Sequence, residues 1–593
     1  MLQPEVFVSV NKRIFTPLAT LLLLASLLPA FVVAQQGNQQ PPSARRGDPG
    51  RGAEGVPADT VRPRRPRLSA TDGVEADVAE ALTVIQDNYV DGNKLDYNGV
   101  FKSSIIGMLR TLDPHSNFYD AKEFEEQRAD WRSEYYGIGA TIGDRKVGET
   151  TDTFILATFE GTPANKAGLR FGDRIVEVDG QSVKGKASGE VRDRLRGPRG
   201  TIVRVTVERG SDGRRETAEI TRDAVPQPTV PDYYFIRPGV GYIDMQRGFN
   251  YTTADEFVEA LGRLRARGMT GLVVDLRNNG GGILDQAVRV AERFLQSGQT
   301  ILSQKGRGTR GEERQYKSEN RSPDQTPLVI LVNRGTASAS EIVAGALQDH
   351  DRALIIGETS FGKGLVQSIM PLDYGTALTL TTSKYYTPSG RLIQRDYSNM
   401  SFYDYLYGRV NGTQDEAKQP EPLKGSETKT DTGRPIYGGG GIAPDEAVKT
   451  RTMTAPQIRL LDPVFGFARE LVYGRVNGFP DYKVAGMPDF EHNLLPADMA
   501  VDDRLYAAFK DYVAERAEIY KVTPQQLDRQ REFVARQLRY DLATAAYGSV
   551  KAQQVLVLDD PQVVKGIESL PRARDLAATA SKGRNPASRS FED

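Results

Sequence analysis

The serine of Gly335-Thr336-Ala337-Ser338-Ala339-Ser340-Glu341 sits where an apolar run of strand length, Leu328–Val332, gives way to a helical pattern, Ser340–Gln348. A hydroxyl there stands at the mouth of an α/β sheet, where sites collect. The small residues around it leave room for a substrate backbone. The free N–H groups and partial positive charge of a helix start favour an oxyanion. Ser338-x-x-Glu341 equally fits a capping box, in which the serine only ends a helix. The next segment adds a base. Lys363 is flanked by Gly362 and Gly364 in the otherwise small and apolar stretch that runs on to Gln367. A lysine whose pKa is lowered toward neutrality by burial serves as a general base. The spacing of a phosphate-binding loop, and the Ser/Thr after its lysine, are absent. Gln367 is expected on the same strand face, where it can hydrogen-bond the amine. A third piece, Asp275-Leu276-Arg277-Asn278-Asn279-Gly280-Gly281-Gly282, stands at the end of the apolar run of strand length Leu272–Leu276. Its glycines let a backbone N–H approach a carbonyl closely, or make an ordinary tight turn. Together the three pieces supply a nucleophile, a base and oxyanion donors, which is triad logic without histidine.

Composition narrows the alternatives. The chain has no cysteine, which excludes a thiol nucleophile, disulfides and thiolate metal sites. It has only three histidines, His115, His350 and His492, so a His-based triad must draw on these. His115, in Leu112-Asp113-Pro114-His115-Ser116, is expected to be structural. His350 is expected to be a cap or dipole partner at a helix end. Lys plus Arg is 77 and Asp plus Glu is 78, a net charge of −1 that gives no global pull toward nucleic acid.

The elements that must position these residues follow from periodicity. The length of 593 residues is a prior of three or four domains at roughly 100–200 residues each. Residues 1–34 have the pattern of an export signal: Lys12 and Arg13, the mostly apolar Leu18–Val33, then the small-residue site ending at Ala34. An uncleaved anchor is the alternative, and either places the rest of the chain outside the cytoplasm. Residues 35–72 are rich in Gln, Pro, Gly and Arg and are expected to be a disordered linker. Residues 73–125 carry helical spacing, with Val74, Val78, Leu82, Ile85 and Tyr89 on one face. Residues 126–222 change to short strand-like runs between glycine-rich turns, a β-rich module. Residues 223–450 alternate strands and helices, the βαβ rhythm of an α/β domain. Residues 451–593 are mostly helical.

On these residues the chain resembles the carboxy-terminal processing (tail-specific) serine peptidases. The family's D-L-R-x-N-x-G-G, S-A-S-E and F-G-K-G-x-V-Q elements stand in order at Asp275–Gly282, Ser338–Glu341 and Phe361–Gln367. The resemblance implies Ser338 as nucleophile, Lys363 as base, Gln367 as its support, and the N–H groups of Ala339 and Gly281 as oxyanion donors. One departure is Thr336, where serine is common, with no effect expected. Tyr136-Gly137-Ile138-Gly139 is similar to the carboxylate-binding loop of a PDZ domain, which holds a chain terminus while the peptide adds as a strand. The later Pro163–Leu169 and Gly172–Gly180 segments match PDZ signatures. The fold implied is multidomain α/β: a crotonase-like protease core with an inserted PDZ domain, a helical N-terminal region and a helical C-terminal extension. The function expected is a periplasmic or otherwise extracytoplasmic endopeptidase working through an acyl-enzyme on proteins or peptides with accessible C-terminal tails. No cofactor, metal or nucleic acid is expected, and membrane association only through the N-terminus. The rival functions are a non-catalytic PDZ scaffold and a crotonase-type thioester enzyme.

Overall fold

The computed structural model describes residues 70–307, 311–398, 400–407 and 425–584. The expected signal peptide, nearly all of the expected linker and part of the loop-rich 401–450 lie outside the described residues. The chain divides into two compact units. The described part of the smaller unit, residues 70–105, holds the helix Ala70–Asn88 and most of the helix Tyr97–Arg110. The larger begins at Ile106 and contains everything downstream that is discussed below. No helix among the described residues is long and apolar enough to cross a membrane.

From residue 233 the chain forms β1 (Tyr233–Arg237), β2 (Val240–Asp244), α1 (Thr253–Ala266), β3 (Gly271–Asp275), α2 (Leu284–Glu292), β4 (Thr300–Gly306) and β5 (Glu313–Lys317). There follow β6 (Leu328–Val332), α3 (Ala339–Asp349), β7 (Leu354–Gly357), β8 (Leu365–Pro371), β9 (Ala377–Tyr386) and β10 (Glu446–Ala447). The helical extension contributes α4 (Leu461–Val472), α5 (Arg531–Val557), α6 (Pro561–Glu568) and α7 (Leu570–Arg584). One sheet has the order β1-β2-β3-β6-β7-β10 and is parallel from β2 onward. A second, antiparallel sheet joins Asn117–Tyr119, β9, β4 and β5, with β8 also on β9.

The two central strands β3 and β6 are buried at every residue, as parallel strands covered on both faces must be. Side chains alternate between the faces. Leu272, Val274, Leu328, Ile330 and Val332 pack with residues of α1, α2 and α3. Val273, Val329, Leu331, Leu354 and Ile356 pack instead with Val557, Val563, Leu570 and Ala573 of the extension. The second layer of this sheet therefore comes from the chain's last described helices.

The β-rich module is a sheet of Ala140–Lys146, Thr151–Thr158, Arg174–Val178, Ile202–Glu208 and Arg215–Thr221, flanked by the helix Ser188–Leu195. Its ends are tied by the ribbon Glu134–Gly137 with Asp223–Pro226, as an insertion requires. Two boundaries differ from expectation. The helix Ala121–Trp131 runs across 125/126, held by a capping box of Asp120 and Glu123. Asn117–Tyr119, inside the expected helical region, is a strand of the core's second sheet. Three residues carry too little periodicity to show as a strand, and only the partner β9 makes them one.

The extension also grips the β-rich module. Phe154 and Phe171 of the module are buried with Phe465, Phe467 and Leu471 of α4. Tyr473 Oη donates to the Phe171 carbonyl at 2.6 Å, and Arg469 Nε to that of Gly172 at 2.8 Å.

Candidate active site

Ser338 ends the turn from β6 and is the N-cap residue of α3. Its φ of 57° and ψ of −116° lie where side chains other than glycine are strained, the geometry that lifts a nucleophile's hydroxyl clear of a strand-to-helix turn. The expected capping box is present: Glu341 accepts the Ser338 N–H at 2.8 Å, and the Glu341 N–H faces the Ser338 side chain while its hydrogen bond goes to the Ser338 carbonyl. Ser338 is half-buried while its neighbours Ala337, Ala339 and Ser340 are buried. The Ala339 N–H, first of α3, has no acceptor among the described residues.

Ser340 does different work. Its hydroxyl is fully buried and donates to the Asn279 carbonyl at 3.0 Å, pinning α3 to the loop after β3. Ala337 N–H donates to the same carbonyl at 2.9 Å. Thr336 Oγ1 donates to the Leu276 carbonyl at 2.8 Å, and the Asn333 and Asn278 side chains are bonded at 2.8 Å. Gly281, at φ 89°, lies so close that an added Cβ would stand 2.7 Å from Ser338 Cβ and from the Ala339 nitrogen. Only glycine fits this approach. Its own N–H, however, donates to Asn279 Oδ1 at 2.9 Å, so the donor expected to be free is engaged. The Asn279 carboxamide is itself held, through its nitrogen, by the Met245 carbonyl.

Lys363 lies in the coil between β7 and β8, not on the strand. Burial pulls its ammonium down from the usual lysine range to about 8, against the Asp113 and Glu341 carboxylates, which favour the charged form. Its backbone N–H donates to Glu341 Oε2 at 2.9 Å, that of Gly362 to Oε1 at 2.7 Å, and Ser360 Oγ also bonds Oε1. Burial pushes the Glu341 carboxyl up, and these donors oppose it. Glu341 was legible only as a capping residue. Its place as the common anchor of both loops appears only when the Ser360–Lys363 loop folds over it.

Gln367 departs from expectation. β8 starts after Lys363, and the register shifts between Val366 and Gln367, so the assumed common face does not exist. A bulge of this kind turns the following side chain. The Gln367 carboxamide donates to Thr381 Oγ1 at 3.1 Å.

His115 lies within the electrostatic reach of Lys363. Its Nε2 is 2.9 Å from Tyr405 Oη, and its ring packs edge-on to Phe361. Burial, with the charges of Lys363 and Arg395, pushes it down to about 2, so it is a neutral ring. Gln394 links Tyr405 to the Gly364 N–H, at 3.0 and 2.9 Å. The Asp113 carboxylate holds the His115 and Ser116 N–H groups. His350 caps α3 and bridges Asp431 and the Thr300 carbonyl, and His492 bonds Asp498 and stacks on Tyr547. In the PDZ module, Tyr136 and Gly137 end a strand, the Ile138 carbonyl accepts from Ala164 at 2.7 Å, and Gly139 takes φ 78° against Thr162.

The sequence has relatives. Peptidase family S41 matches residues 239–398 and a PDZ domain matches residues 159–209. The carboxy-terminal-processing protease of Bartonella bacilliformis is 39% identical over 303 residues, 50% of this chain and 68% of that protein. The carboxy-terminal processing protease CtpA of Bacillus subtilis is 36% identical over 321 residues, 53% of this chain and 66% of that protein. The solved photosystem II D1 C-terminal processing protease is 33% identical, covering 53% of this chain and 88% of its own, with a TM-score of 0.31.

Proposed function

This chain belongs to peptidase family S41, the carboxy-terminal processing serine proteases, and from that premise we propose that it cleaves extracytoplasmic proteins with a Ser338–Lys363 pair through an acyl-enzyme. Ser338 Oγ attacks the scissile carbonyl carbon and its proton passes to the neutral amine of Lys363. The oxyanion is met by the Ala339 N–H and by a glycine N–H of the 279–282 loop. Gly281 qualifies by contact, once Asn279 shares or releases it. The tetrahedral adduct collapses as Lys363 returns the proton to the leaving amine. Water, with Lys363 again as base, then hydrolyses the ester. Gln367 takes part by turning from Thr381 toward the amine.

The PDZ module captures the substrate's C-terminal tail at Tyr136–Gly139, the terminal carboxylate on backbone N–H groups and the tail as an added strand. The residues 1–34 pattern supports export. The observation that carries the mechanism is the strained Ser338 at the head of α3, joined through Glu341 to a lysine with a lowered pKa. The test is degradation of an unfolded protein with a free C-terminal tail by residues 35–593. Ser338→Ala should be inactive, and the same substrate with a blocked C-terminal carboxylate should be cleaved more slowly. An active Ser338→Ala protein would refute the mechanism.

A further inference from the structure

The carboxy-terminal extension reaches the root of the oxyanion loop. Val273, Asp275 and Arg277 alternate onto the sheet face that the extension covers. Asp275 is fully buried and accepts from Tyr242 Oη at 2.6 Å. Arg277 folds back on it, with Nε at 2.9 and 3.0 Å from the two carboxylate oxygens and Nη2 at 2.6 Å. The remaining arm, Nη1, leaves the core and donates to Asp560 Oδ1 at 2.8 Å and to Gln562 Oε1 at 3.1 Å. The next residue after Arg277 is Asn278, at φ 60°, the first of the loop that carries Gly281 against Ser338.

Asp560 is held in turn. It is the N-cap of α6 and accepts the N–H groups of Gln562 and Val563 at 3.0 and 3.2 Å. The positive end of that helix steadies its charge. Gln562 is fully buried and donates to the Val448 carbonyl at 2.7 Å and to Thr450 Oγ1 at 3.2 Å. Thr450 bonds Glu358, which begins the segment leading to Lys363 and lies 3.5 Å from Arg334 of the nucleophile turn. Two side chains at the start of α6 therefore touch the base of the oxyanion loop directly, and Gln562 reaches the Glu358 segment through Thr450 and the nucleophile turn through Thr450 and Glu358.

We propose that Asp560 and Gln562 are positioning residues for the peptidase reaction, acting through Arg277 to set the 278–282 loop against Ser338. A catalytic loop misplaced by about 1 Å costs on the order of a hundredfold in rate. A guanidinium held by carboxylates on two sides keeps one geometry, whereas one held on a single side can tilt. The extension is on this account part of the machinery that makes the site, not only a cover for the sheet.

The proposal rests on Ser338 being the nucleophile and the loop its oxyanion partner, so Ser338→Ala is measured alongside. Asp560→Asn removes the charge but keeps an oxygen able to cap α6. In the full-length protein it should lower kcat on a peptide substrate by about ten- to a hundredfold, with KM within about twofold, well below its unfolding temperature. The acylation rate should fall with kcat. Asp559→Asn, on an exposed neighbour paired with Arg451, should leave kcat unchanged. If Asp560→Asn does not fold, Gln562→Met, which removes the bonds to Arg277, Val448 and Thr450 but no charge, should lower kcat severalfold. An unchanged kcat in a folded Asp560→Asn or Gln562→Met protein, with or without a lower unfolding temperature, overturns the proposal. An inactive Ser338→Ala beside a fully active Asp560→Asn sinks this inference alone, and an active Ser338→Ala sinks the mechanism beneath it.

Discussion

The backbone N–H groups of Ser338 and Lys363 end on the same atom, Oε2 of Glu341, at 2.8 and 2.9 Å. Both bonds use main-chain donors, so the hydroxyl and the amine remain available to substrate. The distance between nucleophile and base loops is thus set by one buried carboxylate and not by the side chains that react. Such buried acceptors are costly to alter, because each donor left without a partner keeps its full desolvation penalty.

Glu341→Gln follows from this. The carboxamide can accept on one side only and presents N–H groups to donors on the other. At about 1–3 kcal/mol for each buried donor left unpaired, the variant should lose several kcal/mol of stability. Its kcat should fall even at temperatures where it is folded. Thermal unfolding and steady-state kinetics check this, and a Glu341→Gln protein with unchanged melting and kcat would contradict the shared-anchor role.

Lys363→Ala should lose on the order of 10²–10⁴ in kcat, the range of a missing general base, with the fold intact by circular dichroism. His350→Ala should retain chemistry, since its ring is committed to Asp431 and the Thr300 carbonyl. Acylation lost in a folded His350→Ala, with Lys363→Ala still active, would reverse the assignment.

The pH profile has a defined sign. The base is the neutral amine, so kcat/KM should rise with pH through about 8 and level off above it. His115, neutral throughout, should add no step near pH 6.5. Between about 8 and the lysine's ordinary value, the unfolded chain holds a proton that the folded one does not. The Lys363 contribution to stability therefore improves as pH rises across that window, and its burial penalty is complete below it. A rate that falls between pH 7 and 9 would rule the neutral lysine out.

The two serines separate activity from stability. Ser338→Ala should remove activity by orders of magnitude and lower stability by only about 0.5–2 kcal/mol, the usual cost of losing a cap side chain. Ser338→Gly should be the more stable of the two. It relieves a backbone strain of about 1–3 kcal/mol, partly offset by about 0.5–1 kcal/mol of added chain freedom. Ser340→Ala should cost about 0.5–1.5 kcal/mol for its buried bond to Asn279 and much less in rate. Melting curves of the three variants, with mass spectrometry of the trapped acyl-enzyme, decide it, and an adduct on Ser340 would overturn the assignment.

What the sequence determined by itself was local. Apolar runs of strand length, helix periods between them and small residues at the turns specify β3, β6 and α3 nearly to the residue, because each depends on its own neighbours. The three motifs, and through them the family, were legible for the same reason. Contacts between distant segments were not. Glu341 at the third position of a helix reads as a cap in any sequence, and it becomes an anchor only when residues 360–363 lie over it. The Gln367 face failed because a bulge depends on the partner strand β9. Leu272–Val274 and Leu328–Val332, apolar at every position, required cover on both faces but could not say by what. An amphipathic helix names no partner, so only the tertiary structure could assign that second face to Val563, Leu570 and Ala573, and bring Asp560 to Arg277.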